Sequence, residues 1–163
     1  MRLILILIVM LTDAAILYGA GDPFPVPTTG NDIQDAYVNS GKWDGKLIGL
    51  AGLIQEIKDG NQGKPLIRVS VRKPNDNNTS IWIGSLVKPE AGQIQRGQII
   101  RVLGYLSLID SSDLQTAETV KDPLFLMGFC LVNQSNKIAL FLPAGVKQCN
   151  EWKNGTIPKD VHK

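Results

Sequence analysis

The chain has a single histidine, and this scarcity limits the chemistry that the protein can do. His162 lies one residue from the C-terminus, where chain ends are generally frayed. A nucleophile activated by a buried imidazole therefore has no candidate base. The acidic residues are scattered among predicted helix starts and turns, where capping and solvation explain them, so they form no metal-ligand cluster. We expect no enzyme activity, no metal and no other cofactor, although a hydrolase built on two carboxylates stays open.

A glycine-rich phosphate loop and a strong charge imbalance are also missing. Gly60 and Gly63 flank a predicted turn between strands, whereas a phosphate cradle needs a helix N-terminus directly after it. The formal net charge is +2, and 20% of the residues are charged. This surplus is too small to indicate a nucleic-acid or membrane partner by itself. With 44% hydrophobic residues, the composition is that of an ordinary globular domain.

A long, mostly hydrophobic stretch lies at the N-terminus. Residues 1–20 combine one positive charge, an apolar core and a small-residue end, which is typical of an export signal peptide. The run is short for a membrane span of about 20 residues, and Asp13 would cost about 2.5–3.5 kcal/mol near a bilayer centre. Bulky residues at the cleavage positions leave an uncleaved N-terminal membrane anchor as the alternative. We therefore expect a periplasmic or secreted protein.

The chain has two cysteines, Cys130 and Cys149, and both belong to the part that would be exported. An oxidising compartment makes a disulfide between them the natural interpretation. The bond would close a loop of about 20 residues and would stabilise the fold by roughly 3 kcal/mol in the chain-entropy model. Two separate buried thiols remain the alternative, because two cysteines alone are a weak pattern.

Beyond the export segment, roughly 140 residues are enough for one domain and too few for two. Residues 21–30 carry prolines at alternate positions, which exclude a helix and favour an extended lead-in. The single predicted domain spans residues 31–157, and residues 158–163 form a frayed tail. At the start of the domain, apolar residues at helical spacing predict a short helix over Asn31–Asn39.

Short apolar or alternating runs separated by Gly, Pro, Asn and Asp predict a small β-barrel. The first four strands are expected at Leu47–Ile57, Leu66–Arg72, Ser80–Leu86 and Gly97–Ser107. A hairpin with arms at Leu124–Val132 and Ile138–Leu142 follows, and helical turns over Ala144–Trp152 end the domain. The polar stretch from Asp110 to Asp122 is expected to be a surface excursion. The pattern leaves open whether the barrel has five or six strands.

These strands resemble a known barrel family. Four segments are similar to the strands of the oligonucleotide/oligosaccharide-binding (OB) fold: Gly45–Ile57, Pro65–Arg72, Ser80–Leu86 and Gly97–Leu106. The last of these segments resembles the recurring Gly-Asp-x-Val-x-Val-x-Gly strand of that fold. With the short preceding helix and the export signal, the chain resembles the small periplasmic bacterial OB-fold proteins. The resemblance implies a mainly all-β fold: a five- to six-stranded, OB-like Greek-key barrel with short flanking helices. It covers residues 32–108 and supports the fold better than a function.

In OB barrels, ligands bind across the second and third strands. The outward residues of those strands would be Arg68, Ser70, Arg72 and Trp82, with Lys73 at the edge. An aromatic ring among guanidinium groups suits a polyanion, including single-stranded nucleic acid, although nucleic acid follows from fold analogy only. The alternative is a solvated barrel face with no ligand, because stacking platforms usually have more than one aromatic residue.

Two functions from different classes therefore stay open. The first is an exported, non-enzymatic binding module for a polyanion, a glycan or a small ligand. The second is a structural or assembly component of the cell envelope that docks a protein partner through the C-terminal hairpin. The second hypothesis requires an exposed apolar patch on the hairpin, whose dense run Leu124–Val132 would otherwise have to be buried. Membrane contact is expected only if residues 1–20 stay attached as an anchor.

Overall fold

The structure is a computed structural model that describes residues 28–71, 78–109, 120 and 122–155. The predictions of an export signal, of a lead-in up to residue 27 and of a frayed tail fall outside these ranges. The described elements are α1 (Gly30–Val38), α2 (Ser40–Trp43), β1 (Leu47–Lys58), β2 (Leu66–Val71), β3 (Thr79–Ser85), β4 (Ile99–Leu108), β5 (Leu124–Asn133), β6 (Ala139–Phe141) and α3 (Val146–Lys153), with 3-10 turns at Asn61–Gly63 and Pro143–Gly145.

Five of these strands form a closed barrel. They follow the order β3-β2-β1-β4-β5, and a parallel pairing between β3 and β5 closes the ring. The remaining pairings of the described strands are antiparallel, so the barrel is mixed. β6 lies outside the ring and pairs with β5. The prediction of a mainly β fold is confirmed, and the number of barrel strands is five.

The barrel interior is filled by the inward residues of alternating strands. Ile67 and Val69 of β2 and Ile81 and Ile83 of β3 are fully buried, which confirms the predicted alternation. The long strand β1 serves both halves of the barrel, because its first part pairs with β4 and its last part with β2. A Cβ at Gly52 would collide with the Ser70 carbonyl oxygen. Glycine at this position therefore lets β1 and β2 approach closely.

Helix α1 adds its apolar face to the barrel core. Thr29 caps the helix reciprocally with Asp32: the Asp32 N–H donates to Thr29 Oγ1 over 3.3 Å, and the Thr29 N–H donates to Asp32 Oδ2 over 2.7 Å. This capping box satisfies two N–H groups that a helix start otherwise leaves open. Ile33 and Ala36 are fully buried in the same cluster as the barrel interior, as their helical spacing predicts.

A second apolar cluster lies on the outside of the barrel, beneath α3 and β6. It contains Leu103 of β4, Phe129 and Cys130 of β5, and Cys149 and Trp152 of α3. The Cys130–Cys149 disulfide joins β5 to α3, and both cysteines are fully buried. This confirms the predicted bond and excludes two separate thiols. None of the helices in the described ranges has the length and apolar character that crossing a bilayer requires.

Candidate ligand-binding pocket

The strand face predicted to bind a ligand is largely covered in the structure. Arg68 of β2 and Trp82 of β3 are cross-strand partners and share the outer face. Arg68 is exposed, but Ser70 is only 6% and Trp82 only 4% exposed. Two further residues of the predicted face, Arg72 and Lys73, lie outside the described residues.

The ring of Trp82 is buried by its neighbours rather than left open as a stacking platform. It clusters with Leu66 and Val120, and the Lys58 ammonium lies 4.9 Å from the ring centroid. Val120 comes from the stretch that was expected to be a surface excursion, yet it is buried here. A ligand could stack on Trp82 only if these covering residues moved aside.

An open cavity lies elsewhere, where the start of α3 passes over the outer face of the barrel. Its volume is 160 Å³, and its wall is formed by Leu86, Tyr105, Phe129, Leu142, Ala144, Gly145 and Gln148. An apolar cavity of about 150 Å³ in another protein holds a benzene molecule. We refer to this cavity as the α3 pocket. Its size suits a single small ring or a short branched chain.

Three parts of the chain build the α3 pocket. β4 supplies Tyr105 and β5 supplies Phe129, whose ring centroids are 5.7 Å apart with their planes tilted by 31°. The 3-10 turn before α3 sits directly on the Phe129 ring, since a Cβ at Gly145 would come within 2.7 Å of it. The first turn of α3 then carries Gln148 into the wall.

Gln148 is the polar feature that distinguishes the α3 pocket from ordinary apolar packing. Its side chain is only 5% exposed, and its Nε2 atom has no hydrogen-bond partner among the described residues. A buried donor left unpaired costs about 1–3 kcal/mol. The described wall contains no charged side chain. The pocket is therefore a mainly apolar enclosure with one amide side chain in its wall.

A second unpaired donor lies one helical turn further along α3. Trp152 is buried, and its Nε1 has no hydrogen-bond partner in the described parts of the chain. The Arg101 guanidinium lies 4.1 Å from the Trp152 ring centroid, and burial lowers the pKa of Arg101. Trp152 and Arg101 are not part of the pocket wall. The pair therefore lies at a part of the second cluster that does not border the cavity.

The pocket wall and the described residues around it contain few groups of the kinds used in catalysis. Within the described ranges, no three His, Cys, Asp or Glu side chains lie together in a way that could hold a metal ion. The wall of the α3 pocket has an amide and a tyrosine hydroxyl as its polar side-chain groups, and neither is a nucleophile with an adjacent base.

The α3 pocket was not predicted from the sequence, although one feature of β4 indicated a covered surface there. β4 places Leu103 and Tyr105 on the face opposite the barrel core, where both join the second cluster. An exposed barrel face would carry polar residues at these positions. Apolar residues on both faces of β4 therefore indicated that something covers its outside.

No protein-family model matches the chain, and no curated protein is significantly similar to it in sequence.

Proposed function

We propose that this protein is an exported, non-enzymatic binding module on an OB-like barrel, and that it holds a small apolar ligand in the α3 pocket. The observation that carries the proposal is the cavity itself, which has a volume of 160 Å³ and is lined mainly by apolar side chains. The strand order with its parallel closure is compatible with an OB-like barrel. The N-terminal hydrophobic run and the disulfide support export.

The α3 pocket is a better candidate than the face around Arg68 for two reasons. The aromatic ring that a polyanion would stack on is covered by Leu66 and Val120. The pocket, by contrast, is already open and needs no rearrangement to admit a molecule of its own size.

Docking of a protein partner on the hairpin has less support. That hypothesis requires exposed apolar residues along Leu124–Val132. In the structure none of the residues of β5 is exposed, because one face lines the barrel and the other lies in the second cluster.

The proposal is tested by titrating the oxidised, ¹⁵N-labelled protein with pinacolone, a neutral branched ketone, and following backbone amide shifts. We expect saturable shifts at Phe129, Gly145 and Gln148. The variant Ala144→Phe, which places a ring in the pocket, should lose them. Arg68→Ala on the opposite candidate face should bind as the wild type does.

The alternatives give different results in the same assay. A heparin fragment that shifts the amides around Arg68, while pinacolone shifts none, would move the binding site to the β2–β3 face. If neutral ligands of this size cause no saturable shift, the α3 pocket is not a binding site.

A further inference from the structure

We infer that the Cys130–Cys149 disulfide and ligand binding in the α3 pocket are coupled: an occupied pocket protects the bond from a dithiol reductant, and reduction of the bond weakens binding. The inference rests on the proposed function, because it adds a redox control to that same site. It follows from where the two cysteines lie relative to the pocket wall.

Each cysteine of the bond is the chain neighbour of a residue in the pocket wall. Phe129 precedes Cys130 on β5, and Gln148 precedes Cys149 on α3. The bond holds the Cα atoms of the two cysteines 5.5 Å apart. It therefore fixes the separation between the barrel side and the helix side of the pocket.

The pocket and the bond also share one apolar cluster. The second cluster contains both cysteines and four residues of the pocket wall, which are Leu86, Tyr105, Phe129 and Leu142. The Leu142 N–H donates to the Phe129 carbonyl over 3.1 Å, and this hydrogen bond connects the chain before α3 to β5. Movement of α3 away from β5 would therefore open the pocket wall and expose the disulfide together.

A reductant reaches the disulfide only when its cover moves, because both cysteines are fully buried. Reduction begins when a thiolate of the dithiol attacks one sulfur atom and forms a mixed disulfide. The second thiol of the dithiol then closes a ring, so the dithiol is oxidised and both cysteines are released as thiols. Local opening of α3 is thus the step that precedes reduction.

A ligand in the α3 pocket opposes this opening. It would contact the barrel at Tyr105 and Phe129 and the turn before α3 at Ala144 and Gly145, so the open form would lose its enclosure. A ligand that binds only the closed form lowers the open fraction by one plus the ratio of its concentration to its dissociation constant. Linkage is reciprocal, and the reduced protein, in which α3 opens more readily, should bind the same ligand more weakly.

The rate of reduction by dithiothreitol tests the inference. The oxidised protein is incubated with excess dithiothreitol with and without pinacolone, samples are quenched with iodoacetamide, and the alkylated thiols are counted by mass spectrometry. At a pinacolone concentration about ten times the dissociation constant from amide-shift titration, we expect reduction to be about tenfold slower. The ratio of reduced to oxidised dithiothreitol at which half of the protein is reduced should rise with pinacolone concentration as well.

Ala144→Phe and Arg68→Ala are the matched control variants. Ala144 is exposed, and a phenylalanine there places a ring in the pocket, so pinacolone should no longer change the reduction rate. Arg68→Ala lies on the other candidate face and should show the protection of the wild type. A dispersed amide spectrum shows that each variant is folded before reduction. Equal protection of Ala144→Phe would mean that pinacolone acts outside the pocket, and would overturn the inference.

The outcomes separate this inference from the proposed function. If pinacolone causes no saturable shift, the proposed function fails and the coupling fails with it. If pinacolone binds saturably and the wild type is reduced at an unchanged rate, the pocket binds ligands and is not coupled to the bond. If the oxidised and the reduced protein bind pinacolone equally tightly, the redox control is wrong.

Discussion

Tyr37 links the packing of α1 on the barrel to the stability of the fold at alkaline pH. Its hydroxyl donates to the Ser80 carbonyl over 3.4 Å, and burial, helped by the negative charge of Asp122, raises the pKa of Tyr37 to about 12. A free tyrosine titrates near 10. The folded state thus holds the phenol proton more tightly than the unfolded state does.

The sign of the pH effect follows directly from this difference. The stabilisation is complete below about pH 10 and is lost as the pH rises toward 12. Absorbance at 295 nm, recorded for the wild type and for Tyr37→Phe, gives the titration of Tyr37 by difference. We expect a midpoint near 12 and a shallower alkaline decline of stability in the variant. A midpoint near 10 would contradict the burial of this hydroxyl.

Single residues also show why the candidate site was hard to predict from sequence. A glycine inside a predicted strand, such as Gly49 or Gly52, usually indicates a bulge or a bend. The structure gives Gly49 a different role, because a Cβ there would lie 2.6 Å from the Trp152 ring. The partner is about one hundred residues away in the chain, and no local pattern indicates a contact between residues so far apart.

At the scale of elements, the positions of the strands along the chain were predictable from the sequence. The residues and helices that pack against the outside of those strands were not. β1 was expected at Leu47–Ile57 and ends at Lys58, and the next strands differ by one or two residues at their ends. Alternation of apolar residues is a local property and fixes these positions well. The covering of Trp82 and the packing of α3 over β4 depend on long-range contacts that the sequence pattern does not contain.

The disulfide and α3 form one structural unit on the outside of the barrel. Loss of the bond in Cys130→Ala/Cys149→Ala should lower the free energy of unfolding by about 3 kcal/mol. The destabilisation should affect α3 before it affects the barrel, because the second cluster holds α3 in place and the barrel core is a separate cluster. Hydrogen exchange should therefore show weaker protection of the α3 amides and little change in β2 and β3.

Two controls make this result specific. Lys88→Ala and Arg96→Ala each change an exposed side chain that is not part of the second cluster, and both variants should leave the exchange of α3 unchanged. Uniform loss of protection across barrel and helix in the cysteine variant would show that the bond supports the whole fold and that α3 is not a separable unit.

For the whole molecule, the closing pair of strands explains both the fold and the shape of the site. β3 and β5 pair in parallel although about forty residues separate them in the chain. This closure uses one face of β5 for the barrel core and leaves the other face to the second cluster. That second face is covered by α3 and β6, and the α3 pocket lies beside Tyr105 and Phe129 on the same side of the barrel.

The Cys130–Cys149 disulfide connects the proposed export of the whole chain to the stability of its fold. If residues 1–20 direct export, the full chain produced in a Gram-negative bacterium should reach the periplasm and should have no free thiol when denatured. A variant without residues 2–20 should stay in the cytoplasm with two free thiols. Because it lacks the bond, that variant should be about 3 kcal/mol less stable than the exported protein until it is oxidised.

Fractionation, thiol labelling of the denatured protein and urea unfolding measure these three outcomes. Recovery of the full chain in the membrane fraction with the bond formed would favour the anchor over the cleaved signal, and the pocket would still lie in an oxidising compartment. Recovery in the cytoplasm with both thiols free would contradict export.

The pocket depends on the same bond, because Gln148 is adjacent to Cys149 on α3. The reduced variant should therefore bind pinacolone more weakly than the oxidised protein, and oxidation should restore the binding.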